Sequence, residues 1–168
     1  GRMDERYDMV RAVRDKRYKY IRNYNPYQIY GQYIAYMFQT DTTRLWREMF
    51  DEGKLNAVQS AFWKVKPPVE FYDIETDPHE VKNLASSPAH AQVRARFAAE
   101  LDRWQGGVRD LGFLPEGQMH DRRGNLTPYE FGQDAGKYPF RKIKDAAEKA
   151  ASATPGSLGQ LRTMMSDP

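Results

Sequence analysis

Cysteine is absent from this sequence of 168 residues. Disulfides, thiolate metal sites and a cysteine nucleophile are thereby excluded, and the redox compartment stays undetermined. Histidine is scarce: His79, His90 and His120 are the three present. The stretch VEFYDIETDPHEVKNLA, residues 69 to 85, contains His79-Glu80, the first half of the zinc-protease signature H-E-x-x-H. That signature works because two histidines four apart share one helix face, with Glu between them as base. Here the second position is Asn83, and neither remaining histidine falls at that spacing. Half a motif supplies half a coordination shell, so the stretch is not read as a metal site. No apolar run reaches the length of a membrane span. No signal-peptide pattern opens the chain. The start at Gly1 and the stop at Ser166-Asp167-Pro168 are read as those of a piece of a longer polypeptide.

What is present is ordinary in bulk and unusual in detail. The chain is 40% hydrophobic and 29% charged, the range of a globular domain. Its 11 Tyr, 8 Phe and 3 Trp predict a core rich in tyrosine. A net charge of +3 is compatible with anionic partners without requiring them.

Residues 8 to 24 read as a β-hairpin, with Val10 and Ala12 alternating with Arg11, and Tyr18 and Tyr20 with Lys19. Asp15-Lys16 is the expected turn. Arg11, Arg14, Lys16, Arg17, Lys19 and Arg22 read as a solvated sheet face, the alternative being a strip that touches an anion. Tyr24, Tyr27, Tyr30, Tyr33 and Tyr36 fall three apart across Pro26 and Gly31, which predicts an irregular aromatic loop. Such rings either pack on their own domain or stack on sugars or bases. Residues 41 to 53 predict a helix capped by Asp41 or Thr42, with a stripe of Leu45, Trp46, Met49 and Phe50 and a stop at Gly53. Residues 56 to 63 add a turn or two, and 70 to 73 a short strand.

Asp77-Pro78 predicts an N-cap and first helical residue, Glu80 the partner in a capping box, and His79 an exposed position. Residues 87 to 112 predict the longest helix, with Val93, Phe97, Leu101 and Trp104 inward and Gly106-Gly107 loosening or ending it. Residues 112 to 136 are expected to be irregular, with His120-Asp121 on the surface. Residues 138 to 152 and 154 to 168 predict two short helices, the second started by Thr154-Pro155.

Three stretches, in order, carry a resemblance. MVRAVRDKRYKYIRN (9 to 23) is the basic hairpin. EFYDIETDPHEVKNLA (70 to 85) combines an apolar-Tyr-Asp strand, a turn, Asp-Pro-x-Glu and Asn-Leu-Ala. ELDRWQGGVRDLGFLPE (100 to 116) closes the long helix. Together they resemble the C-terminal part of sulfatases across residues 3 to 135, nearest in character to heparan N-sulfatase-like bacterial members.

The resemblance implies an α+β unit, a small antiparallel sheet of about four strands packed by a long helix. This would be the C-terminal subdomain of a larger, alkaline-phosphatase-like α/β parent. It implies a subdomain over residues 1 to 136 and, from 137 to 168, the start of a helical extension. The family's chemistry resides in an N-terminal part. There a Cys or Ser in a C/S-x-P-x-R motif becomes formylglycine and attacks sulfur beside a carboxylate-held calcium. In this chain only Ser86-Ser87-Pro88-Ala89-His90 comes near, with His90 where Arg is required. No catalytic residue is therefore carried over. Calcium and formylglycine are expected in the parent, which would be a sulfuric ester hydrolase, periplasmic or secreted. The fragment is expected to be inactive alone. Its implied partners are the parent's catalytic domain and a sulfated sugar. Arg2, Asp4 and Glu5, in the loop entering the basic hairpin, are the implied substrate-binding residues. A basic-aromatic nucleic-acid module and a structural interaction domain are the alternatives, the first disfavoured by the acidic residues that interrupt the basic strip.

Overall fold

The computed structural model describes Arg2–Met3 and residues 6–152, with side chains from Tyr7 onward. Strands β1 (Arg2–Met3) and β2 (Arg6–Tyr7) form a short antiparallel ribbon. Strands β3 (Val10–Arg14) and β4 (Tyr18–Asn23) follow as the basic hairpin, with Arg14 opposite Lys19. The Asp15 N–H donates to the Tyr18 carbonyl at 3.0 Å, so the turn centres on Lys16-Arg17, one residue later than expected. No glycine is needed there. The Asp15 carboxylate accepts the N–H groups of Arg17 and Tyr18 at 2.8 and 2.7 Å and shapes the turn itself.

The aromatic loop runs to a 3-10 turn at Met37–Gln39 and helix α1 (Asp41–Asp51). Thr40 is the N-cap, one residue before the expected caps, and Leu45 is exposed rather than part of the inward stripe. Gly53 does end this region, with φ of 69°. Helix α2 (Ala57–Ser60) starts with a capping box between Asn56 and Gln59 and continues as a 3-10 turn to Trp63. Trp46 stacks on Phe62 at 4.8 Å and meets Trp63 edge-on at 5.3 Å. Gly31 fits under these rings only because it lacks a side chain: a Cβ there would stand 2.6 Å from Phe62.

Strand β5 (Val69–Asp73) pairs with β4, placing Tyr20 opposite Phe71 and giving one sheet in the order β3-β4-β5. The next segment departs from expectation. No helix forms at residues 78 to 85, and the predicted capping box is absent. The Asp77 carboxylate instead accepts the Lys82 N–H at 2.8 Å, and Glu80 adopts a left-handed φ of 54°. Lys19 reaches the Glu80 carboxylate at 2.8 Å. Asn83 accepts the Phe71 N–H at 3.0 Å and donates to the Val69 carbonyl at 3.2 Å. These tertiary partners close the free edge of β5 and override the local helix signal.

Helix α3 (Ala91–Val108) crosses the sheet and buries Phe97 and Leu101 against Tyr20 and Phe71. Spacing by four from Val93 leads to Gln105, which is fully buried, whereas Trp104 is 46% exposed. Gly106-Gly107 lie inside the helix, which ends instead at Arg109 in the left-handed region, φ 52°. The Arg109 guanidinium then holds the carbonyls of Gly132 and Tyr138 at 2.9 and 3.0 Å.

Residues 112 to 136 are not irregular. They contain α4 (Glu116–Arg123) and α5 (Pro128–Gln133). Thr127 and Glu130 form a capping box around Pro128 at the first helical position. Helix α6 (Phe140–Ser152) follows as expected, and the second predicted helix, 154 to 168, lies outside the described residues. A second core joins Met9 and Tyr24 to Phe113, Phe131, Tyr138 and Phe140. Lys144 of α6, nearly buried, pairs with Asp102 of α3 at 2.9 Å. The α+β class stands as the resemblance implied: a small antiparallel sheet, three strands in one layer, under one long helix.

Candidate functional site

The register of the N-terminal ribbon places Arg2 opposite Tyr7 and Met3 opposite Arg6. Asp4 and Glu5 lie outside the described residues, as does the Arg2 side chain. What the structure defines is the base from which this ribbon projects. Tyr7 donates its hydroxyl to the Gly112 carbonyl at 3.1 Å. Burial raises the Tyr7 pKa above its ordinary value, Arg11 opposing the shift. The hydroxyl is thus kept as a donor.

Arg11 and Asp110 lock the base from below. Arg11 Nε and Nη2 reach the two Asp110 carboxylate oxygens at 2.7 and 2.8 Å. Gly112 N–H and Gln105 Nε2 add hydrogen bonds to the same carboxylate at 3.0 and 3.3 Å. Burial pushes the Asp110 pKa up, but the Arg11 and Gly112 hydrogen bonds outweigh it and hold the group below the usual carboxylate range. Gln105 also accepts the Tyr24 hydroxyl at 3.0 Å, and burial raises Tyr24 to about 12. A cleft of about 420 Å³ opens here, lined by Tyr7, Asp8, Arg11, Gly112, Leu114 and Pro115.

The other side of the base is an ion pair between Asp8 and Lys66. The Lys66 side chain is 1% exposed, so this ammonium is removed from water. Its backbone N–H donates to the Gln28 carbonyl at 3.3 Å, and its ammonium lies 5.9 Å from the centre of the Tyr30 ring. Asp8 Oδ1, Asn25 Nδ2 and Gln28 Oε1 are buried here without a hydrogen-bond partner. Buried polar atoms of this kind are uncommon and mark sites where water, a ligand or another chain completes the bonding. Of the tyrosine series, Tyr24 is core, while Tyr27, Tyr33 and Tyr36 are more than half exposed.

Half of the basic strip read from the sequence is engaged in ion pairs within the chain. Arg11 pairs with Asp110, Arg17 with Asp73 at 2.8 Å, and Lys19 with Glu80. The strip as an anion-binding surface is correspondingly reduced. Among the described residues no three His, Asp or Glu side chains converge as metal ligands, and His79-Glu80 is no exception. Ser87 Oγ lies 2.9 Å from His90 Nδ1, within one turn of chain. The arrangement at the ribbon base supplies hydrogen-bond donors, acceptors and fixed charges. It can bind and orient a polar group. The sequence reading missed Asp8, Lys66, Gln105 and Asp110. Lys66 stands beside Pro67-Pro68, and nothing local marks its burial.

No family model matches the chain. Comparison with curated proteins finds an ulvan-active sulfatase of Formosa agariphila, 41% identical over 125 residues, covering 74% of this chain and 21% of that relative. The chain is related to sulfatases. A second ulvan-active sulfatase of the same organism is 32% identical over 140 residues, covering 81% of this chain and 24% of that relative. The chain thus spans between a fifth and a quarter of the length of the sulfatases it matches.

Proposed function

We propose that the chain is the C-terminal portion of a sulfatase that removes sulfate from a sulfated polysaccharide, where it buttresses the catalytic part and walls the substrate cleft. The relationship to two ulvan-active sulfatases across most of this chain is the observation that carries the reading. Their names make ulvan-type polysaccharide the first substrate to try, and the heparan N-sulfatase flavour of the motifs makes N-sulfated glucosamine the second. The chain's own described residues offer no ligand set for calcium, and its sequence has no C/S-x-P-x-R motif. In this reading the ion and the formylglycine nucleophile belong to the preceding part of a periplasmic or secreted parent.

The role of the described residues is to aim the ribbon. Asp8, Arg11, Lys66 and Asp110 fix its base. In the proposed enzyme Arg2 pairs with a sulfate or carboxylate, and Asp4 or Glu5 accepts hydrogen bonds from sugar hydroxyl or ammonium groups. The test is the intact, mature parent with calcium, assayed on ulvan oligosaccharides, N-sulfated glucosamine and an aryl sulfate. Turnover of a sulfated sugar is expected, and no turnover of any of them sinks the reading. Arg2→Ala and Asp4→Ala should lower kcat/KM on the sugar by about ten- to a hundredfold, and far less on the small aryl sulfate. Equal effects on both substrates remove the ribbon from substrate recognition. The 168-residue chain alone should release no sulfate.

A further inference from the structure

Of the three longest helices among the described residues, α3 and α6 bury part of one face, and α1 buries no residue. The α1 sequence is nevertheless two-faced. Leu45, Trp46, Met49 and Phe50 fall on one side, and Arg44, Arg47, Glu48 and Asp51 on the other. The helix packs on the Met37–Gln39 turn and, through Trp46 and Phe50, on Phe62 and Trp63. That leaves Leu45 57% exposed, and Tyr33 and Tyr36 in the preceding loop are also more than half exposed. A helix of 11 residues is marginal on its own, because most helical stability in proteins comes from packing an apolar face. An apolar face left largely uncovered marks an interaction surface.

Charge narrows the occupant. Residues 27 to 63, which hold the aromatic loop, α1, α2 and the turn to Trp63, carry three cations against four carboxylates. Arg44 pairs with Asp41, Arg47 with Asp51 at 2.9 Å and Lys54 with Glu52 at 2.7 Å, so each of those cations already has a carboxylate. A polyanionic sugar or nucleic acid is thereby disfavoured, and a protein surface of low charge fits. The two related sulfatases point to the source of that surface. Their match takes in most of this chain but 21% and 24% of their own length, so most of each relative's polypeptide lies outside it. A surface on the same polypeptide acts at an effective concentration of about millimolar, which favours it over a second copy in free solution. We propose that α1 docks its apolar face on the remainder of the parent polypeptide, with Leu45 and Met49 buried in the contact. The inference rests on the reading of the chain as one portion of a larger sulfatase, and it names the face by which that portion is attached.

The test compares amide hydrogen–deuterium exchange, read by mass spectrometry, in the 168-residue chain and in the intact parent. Exchange across residues 44–51 should be slower in the parent by about tenfold or more, because docking adds the packing that α1 lacks. Helix α3, already packed on the sheet, is the reference and should change far less. Leu45→Lys keeps the helix propensity at an exposed position, so the chain should exchange as before, whereas the parent should lose its α1 protection. Equal α1 exchange in chain and parent overturns the proposal, and this comparison decides alone if the Leu45→Lys parent fails to fold. Unchanged protection in a folded Leu45→Lys parent overturns it too. So does α1 protection that appears in the chain alone as its concentration rises, or on adding ulvan oligosaccharides, since the face then belongs to a second copy or to a glycan. Sulfate release is read on the same parent sample. Turnover with an unprotected α1 removes the docking and leaves the sulfatase reading, and protection without turnover does the reverse.

Discussion

Replacing Asp110 by Asn should destabilise the chain through the Arg11 pair. The substitution keeps the shape of the side chain and removes its charge. It also turns an N–H₂ group toward a guanidinium that in the wild type makes one bidentate contact, through bonds of 2.7 and 2.8 Å. Breaking a fully buried pair costs about 3–5 kcal/mol and an exposed one about 0–1. Here the Asp110 side chain is 7% exposed and Arg11 21%, so the expected loss lies between, about 2–3 kcal/mol. Urea denaturation of wild type and variant measures it, and a double-mutant cycle with Arg11→Met isolates the pair. The pH dependence gives a second reading. Asp110 has a depressed folded pKa, so its contribution is fully present above the unfolded carboxyl pKa, about 4, and is lost as pH falls through the lower folded value. Wild type should therefore lose stability in acid more steeply than Asp110→Asn. A loss under about 0.5 kcal/mol, or parallel acid profiles for the two proteins, would refute the claim that this pair holds the ribbon base.

Two further substitutions test the packing elsewhere in the chain. Asn83→Ala removes the side chain that closes the β5 edge, and should cost about 1–2 kcal/mol in urea while speeding amide exchange at Phe71. Unchanged exchange there would mean the edge is closed by the neighbouring backbone alone. Gly31→Ala drives a methyl to within 2.6 Å of a Phe62 ring that is stacked on Trp46, and should cost about 1–3 kcal/mol and change tryptophan fluorescence. A variant as stable as wild type would show that the Phe62 ring moves freely.

Helical periodicity was easy to read wherever the pattern was long. The core of α3 follows from Val93, Phe97 and Leu101, and the amphipathic face of α6 from Phe140, Ile143 and Ala147. The errors came where two local signals competed or where a tertiary partner intervened. Trp104 is the larger hydrophobe and reads as inward, yet spacing by four from Val93 leads to Gln105, which is the buried residue. The α5 start is legible in Thr127-Pro128-x-Glu130, although the glycines around it read as an irregular segment. The Asp77-Pro78-x-Glu80 signal was equally good locally and failed. Its groups bond Lys19 and, through the same segment, the edge of β5, partners more than ten residues away in sequence.

The site was less legible than the fold for one physical reason. Its groups are charges, and a charge in a sequence carries no mark of burial. The hairpin arginines and lysines read as one solvated face, yet three of them meet carboxylates drawn from distant parts of the chain: Asp110, Asp73 and Glu80. Those carboxylates belong to the very stretches that resemble sulfatases. Only the Arg11–Asp110 pair lies at the ribbon base; Arg17–Asp73 and Lys19–Glu80 join the turn end of the hairpin to β5 and the turn after it. An exposed pair adds little stability, as at Arg17, which is half exposed. What the pairs add is contact between the hairpin and two distant segments, the β5 turn and the end of α3. No partner is shared among them, so the loss of one should leave the other two in place.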